Sequence, residues 1–227
     1  MELQSKSILQ PNGTLSFKCH LTLDDESVLT KTLSFENYLN LLKEGSIAVT
    51  QKEKFLTICD LPIGYHSGAI RSDGDFVMFI TVPSSVRTKF YKEQFFEIPY
   101  PNLLFGFVSV NNKLVCKKCF SYKGVLTDKS ILYRYPFGNV NQNGNICFGN
   151  ISLPKADKPP VLNTYIDLFM NGITNDDYYK PGSSITSSYS QGTLLTRLSK
   201  KSVFPSALLS KTNYTYTKLK EELFNEQ

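Results

Sequence analysis

The chain has no tryptophan and only two histidines, His20 and His66, among 227 residues. Any scheme that needs an imidazole base has just those two positions to draw on. Also missing is an apolar run long enough to cross a bilayer. The opening stretch MELQSKSILQPNGTL lacks the apolar core of a secretory signal. These absences predict a cytoplasmic protein with no membrane contact. There is no dense basic stripe either. The net charge is +5, with only small clusters at Lys117–Lys118 and Lys200–Lys201, so nucleic acid is not an expected partner. Mild basicity suits an acidic protein partner, or solubility alone. The 16 phenylalanines and 13 tyrosines mostly fall at strand or helix periodicity, which reads as core packing rather than base stacking.

The five cysteines, Cys19, Cys59, Cys116, Cys119 and Cys147, are odd in number and sparse for a disulfide scaffold, so reduced thiols are expected. Cys116 and Cys119 form a lone CxxC. A structural zinc wants four ligands, and no second pair is present, although Cys59 and a histidine could complete a set. The alternation LVCKKCF reads instead as a strand end. No metal or cofactor is expected.

The remaining pattern is that of a globular α+β protein: 41% hydrophobic, 20% charged and long enough to bury a core. Pro11-Asn12-Gly13, Asp73-Gly74 and Asn111-Asn112 are turn signals between β-like stretches. Leu15, Phe17, Cys19, Leu21 and Leu23 alternate with polar residues as in a half-buried strand, with His20 on the other face. Residues 34–44 read as a helix, with Phe35, Tyr38, Leu39 and Leu42 on one face and Gly45 as its cap. Strands are expected over 54–59 and 75–82, then two strands around a tight turn within 102–122, which together make an antiparallel meander. Residues 161–172 read as a helix burying Leu162, Tyr165, Ile166 and Phe169. The polar stretch 175–192 reads as an exposed, mobile loop, and two short helices close the chain. His66, in IGYHSGAI, is expected in a loop.

Within YPFGNVNQNGNICFGNI, Cys147 follows an Asn/Gly-rich polar loop rather than lying inside an apolar run. Asn139 precedes it by eight residues, and Asn143-Gly144 between them is a strong turn dipeptide. A reversal there brings Cys147 back towards Asn139. That combination suits acyl capture: a reachable thiol, a side-chain donor for the oxyanion, and an activated donor that spares the site the need for a strong base. Spacing alone fits an Asn-capped loop beside a core cysteine at least as well.

The segment FGNVNQNGNICFGNI resembles the active-site stretch of ubiquitin-conjugating enzymes, in which His-Pro-Asn, a short loop and Asn-Gly lead to the catalytic cysteine. IPYPNLLFGFV, YPFGNV, GNICFGNISLP and DLFMNGIT extend the resemblance to the PRTRC system protein B family, the prokaryotic ubiquitin-conjugating-enzyme-like family D. It covers roughly residues 75–180. The resemblance implies a ubiquitin-conjugating-enzyme-like antiparallel sheet flanked by helices over 67–227, preceded by an N-terminal β/α extension over 1–66. It implies a bacterial protein in which Cys147 carries a ubiquitin-like modifier as a thioester and Asn139 stabilises the oxyanion. The implied partners are a ThiF-type activating enzyme, a ubiquitin-like protein and a JAB-type peptidase. Two departures stand out. The His-Pro of the eukaryotic motif is Phe137-Gly138 here, and a family Thr-His is Thr174-Asn175. Asn175, Asp157, Asp176 and Asp177 are therefore candidates for orienting or deprotonating an incoming lysine. Two other readings stay open: an inactive scaffold that keeps the fold and its partners, and a cysteine hydrolase using His66 or His20.

Overall fold

A computed structural model of the chain describes residues 2–9, 15–22, 28–34, 61–71 and 74–225. The chain forms two compact units, Met1–Lys54 and Phe55–Gln227. In the first, β1 (Glu2–Leu9), β2 (Leu15–Thr22) and β3 (Val28–Ser34) pair antiparallel in that order. Cys19 and His20 fall on β2, across from Ser5 and Gln4 of β1. The helix expected over 34–44, apart from Ser34 at the end of β3, and the strand expected over 54–59 lie outside the described residues.

The second unit is built on a six-stranded antiparallel sheet. Its strands are β4 (Tyr65–Ile70), β5 (Phe76–Val82), β8 (Asn102–Val110), β9 (Lys113–Tyr122), β10 (Ile131–Arg134) and β11 (Lys211–Thr215). Each strand pairs with the next in this series, so the sheet is a meander. One hairpin interrupts it: β6 (Val86–Tyr91) and β7 (Gln94–Pro99) form a separate two-stranded sheet. The β8–β9 turn is Asn111-Asn112, both at positive φ, where a short polar side chain is tolerated.

The sheet is covered on both faces, which is why β5 and β8 read as nearly unbroken apolar runs. Phe76, Met78 and Ile80 face a core completed by α1 (Val161–Asn171) and α2 (Gln191–Leu198). Val77 and Phe79, the alternate residues, face a second core completed by α3 (Tyr216–Asn225). Cys119 belongs to the first core and Cys116 to the second. Three residues apart on a strand, the two thiols face opposite sides and do not share a ligand. Among the described residues no three His, Cys, Asp or Glu converge as a metal site, and no helix is long and apolar enough to cross a membrane.

Helix α1 buries Leu162, Tyr165, Ile166 and Phe169, as its period requires, and Gly172 ends it. Three expectations are corrected. His66 lies on β4, not in a loop, and its ring stands 5.2 Å from that of Tyr216. Residues 211–215 form an edge strand before α3 rather than part of a helix. The 175–192 segment has little regular structure but is anchored, because Tyr179, Ser184 and Ile185 are buried and Ile185 bridges to Leu209.

Candidate functional site

The segment from Asn139 to Cys147 is a miniature hairpin laid against β9. Val140 and Ile146 bridge antiparallel, and the Cys147 N–H donates to the Asn139 carbonyl at 2.8 Å. The Asn141 carboxamide oxygen accepts the N–H groups of Asn143 and Asn145, at 2.9 and 3.0 Å, and so stands in for missing ladder bonds. Gly144 adopts φ +83 directly over the Phe120 ring, leaving no room for a Cβ. The Ile146 N–H donates to the Lys117 carbonyl at 2.9 Å, and the Cys119 N–H donates to the Gly144 carbonyl at 2.8 Å. The reversal at Asn143-Gly144 thus sets Cys147 beside Asn139.

Cys147 is half-buried and opens into a cleft of about 240 Å³. One wall is Phe148, Gly149 and Ile151, which follow the cysteine. The other is the end of α1 with Gly172 and Ile173, continuing into Asn175 and Asp177. Asn139 lies between the two walls. Its backbone sits at φ +69 and its N–H donates to the Asp177 carbonyl at 2.9 Å. Its Nδ2 donates to the Ile173 carbonyl at 2.9 Å, while its Oδ1 accepts a long bond from the Asn175 N–H at 3.4 Å. One Nδ2 hydrogen is engaged at Ile173, and a carboxamide nitrogen carries a second.

The structure brings together Cys147, Asn139, Asn175 and Asp177. Asn175 donates through Nδ2 to the Asp177 carboxylate at 2.7 Å, and its Oδ1 accepts the Asp177 N–H at 3.0 Å. Asp157 and Asp176 do not line the cleft. Asp157 is exposed in the loop before α1. Asp176 instead accepts from the Tyr91 hydroxyl at 2.8 Å and pairs with Lys92 at 2.8 Å. Burial works to raise the Asp176 pKa, but the bonds from Lys92 and Tyr91 outweigh it and hold the carboxyl below its usual range. Among the described side chains no histidine lines the cleft, and His66 packs on Tyr216 of α3 instead. Phe137, where the eukaryotic motif has histidine, is wholly buried against Tyr100, Tyr135 and Phe204. It is a core residue, and the loop geometry does not depend on an imidazole there.

Strand β6 runs along the α1 wall. Lys89 is buried, with its Nζ 3.4 Å from both the Phe169 and Met170 carbonyls at the end of α1, where a cation complements the helix dipole. The Phe90 carbonyl accepts the Thr174 N–H at 3.0 Å, and Tyr91 and Lys92 hold Asp176. These contacts were not foreseen from the sequence. Nor was Gln191, which is 1% exposed and spans Gly138 and Asn175. A signal for it exists: residues 191, 194, 195 and 198 form the apolar stripe of α2, and Gln191 is the polar member.

A meander sheet with helices on both faces and a cysteine hairpin laid against β9 fits the architecture of ubiquitin-conjugating-enzyme-like proteins. The model of prokaryotic E2 family D matches residues 69–212, more than half of the chain, and the chain belongs to that family. No match was found among curated proteins or among solved structures.

Proposed function

We propose that this protein accepts a ubiquitin-like modifier as a thioester on Cys147 from a ThiF-type activating enzyme and passes it to an amine, in the cytoplasm of a bacterium. The observation that carries the reading is the pairing, in one cleft, of a half-exposed thiol with a carboxamide pinned at its other bonds. The Cys147 thiolate attacks the carbonyl carbon of the donor thioester. Asn139 Nδ2 donates to the oxyanion, and collapse expels the activating enzyme's thiolate. A neutral amine then attacks the new thioester, the same donor serves the second oxyanion, the nitrogen releases a proton to solvent, and Cys147 leaves as thiolate. Asp177, the carboxylate that lines the cleft, draws in the ammonium form of the acceptor and takes up its proton. Adenylation belongs to the activating enzyme, so this chain needs no nucleotide or metal of its own. A JAB-type peptidase would reverse the modification.

The test is a non-reducing gel after incubation with the neighbouring activating enzyme, its modifier and ATP. A reductant-labile adduct is expected, abolished in Cys147→Ala and replaced by a reductant-resistant ester in Cys147→Ser. Asn175 at the position of the family's histidine favours one second reading, a scaffold that binds these partners without turnover. An uncharged chain beside a self-charged activating enzyme would select it.

A further inference from the structure

Gln191 is wholly buried, yet it is the first residue of α2 and spends both ends of its carboxamide on the segments that frame Cys147. Its Oε1 accepts the N–H of Gly138, and its Nε2 donates to the Asn175 carbonyl at 2.8 Å. Gly138 is the residue before Asn139. Asn175 is the residue whose N–H reaches the Asn139 Oδ1. The two segments cross so closely that a Cβ on Gly138 would run into the Asn175 carbonyl oxygen. Gln191 closes this crossing from behind. Its own position is fixed by Ser190, which caps α2 by accepting the Thr193 N–H, and by the buried Leu194, Leu195 and Leu198 on the same stripe.

We infer that Gln191 is a positioning residue for acyl transfer, acting through Gly138 and Asn175 to aim the Asn139 carboxamide at the oxyanion. The inference rests on the carrier reading above. Without the clamp, Asn139 keeps its place in sequence but loses the fixed backbone on either side of it, and a preorganised donor becomes one that must be ordered during the reaction. Cys147 has a further anchor that does not pass through Gln191: its hairpin is tied to β9 by the Ile146 N–H on the Lys117 carbonyl and the Cys119 N–H on the Gly144 carbonyl, and closed by the bridge between Val140 and Ile146. Attack of Cys147 on iodoacetamide is a displacement with no tetrahedral oxyanion, so it does not call on the aimed donor.

The experiment compares the two reactions in the full chain. Modifier transfer from the activating enzyme and alkylation by iodoacetamide are measured for the wild type, Gln191→Met and Gln191→Glu. Gln191→Met fills the space without either hydrogen bond. It is expected to slow transfer about 10-fold or more, less than outright loss of an oxyanion donor, with alkylation unchanged. Gln191→Glu keeps the acceptor for Gly138 but sets a carboxylate against the Asn175 carbonyl. Protonation restores its donor, so its transfer rate relative to wild type is expected to rise as pH falls. Equal transfer rates in wild type and Gln191→Met would overturn the inference. So would a parallel loss of transfer and alkylation, which marks a residue that only holds the fold. Should Gln191→Met fail to fold, a Gln191→Glu profile parallel to wild type at every pH would overturn it as well. A wild-type chain that never charges sinks the carrier reading itself, a result distinct from all of these.

Discussion

Gly138 occupies the place of a proline in the eukaryotic motif, and its neighbours explain the exchange. The Asn175 carbonyl lies where a side chain would begin, and the Gly138 N–H is spent on Gln191. Proline there would both collide and remove the donor. Gly138→Ala should lower stability by about 1–3 kcal/mol, as overpacking does, and urea titration would read this as a lower midpoint. An unchanged midpoint would mean that the 173–177 loop yields freely. Much of this site was legible residue by residue. The Asn139, Asn143-Gly144 and Cys147 spacing signals a tight return, because the turn chemistry is local. The loop of Asn175 and Asp177 was not assignable by the same logic. Its contacts to Asn139 cross more than thirty residues, and no periodic pattern records them. Asp157, Asp176 and Asp177 look alike as loop acids. Only the fold turns Asp176 towards Tyr91 and Lys92 and leaves Asp177 in the cleft.

Among the elements, β6 and α1 are joined through Lys89, whose Nζ reaches the Phe169 and Met170 carbonyls. Burial is the main cause that lowers the Lys89 pKa from 10.5 to about 8, against a small opposing pull from Cys119. Each unit is worth about 1.4 kcal/mol, so holding the charged form inside costs about 3 kcal/mol. Below pH 8 both folded and unfolded chains carry the proton, and the cost is constant. Between about 8 and 10.5 the folded chain releases it first, so the contribution to stability rises with pH. Lys89→Met should be more stable than wild type at pH 7 and should lack that rise, as measured by denaturant unfolding at a series of pH values. A variant less stable at pH 7 would show that the carbonyls of Phe169 and Met170 need the ammonium more than the core resists it. Helix α1 was readable because Leu162, Tyr165, Ile166 and Phe169 keep a helical period. The β6–β7 hairpin was not. Its turn is Lys92-Glu93, both at positive φ, with no glycine, asparagine or proline to announce it. Strand β11 was hidden by running into α3 without a break, its short apolar pattern shared between the two.

At the scale of the molecule, the central sheet separates two cores. One carries α1 and α2 and the other carries α3. Leu219 of α3 is fully buried in the second core. Leu219→Ala should lose about 2–5 kcal/mol of stability. Below its melting range it should still charge Cys147 at the wild-type rate, since Leu219 packs in the second core and takes no part in lining the cleft. A fall in charging rate without unfolding would show that the faces are coupled. The meander itself was legible because its turns are short and its strands alternate or run apolar, whereas the layering came only with the register. Lys89 and Lys92 lie beside the end of α1 and the 173–177 loop that line the cleft. Burial pushes the Lys89 ammonium towards losing its proton, and the side chain is sealed in the core. Exposed Lys92, beside the loop that carries Asn175, is held protonated far above the usual lysine range by its bonds to Asp176 and Tyr91. A chain charged with an activated acyl group is at constant risk of acylating itself. On the carrier reading proposed above, Lys89 is a poor internal acceptor because it is sealed in the core, and Lys92 because its pairing with Asp176 favours the ammonium form.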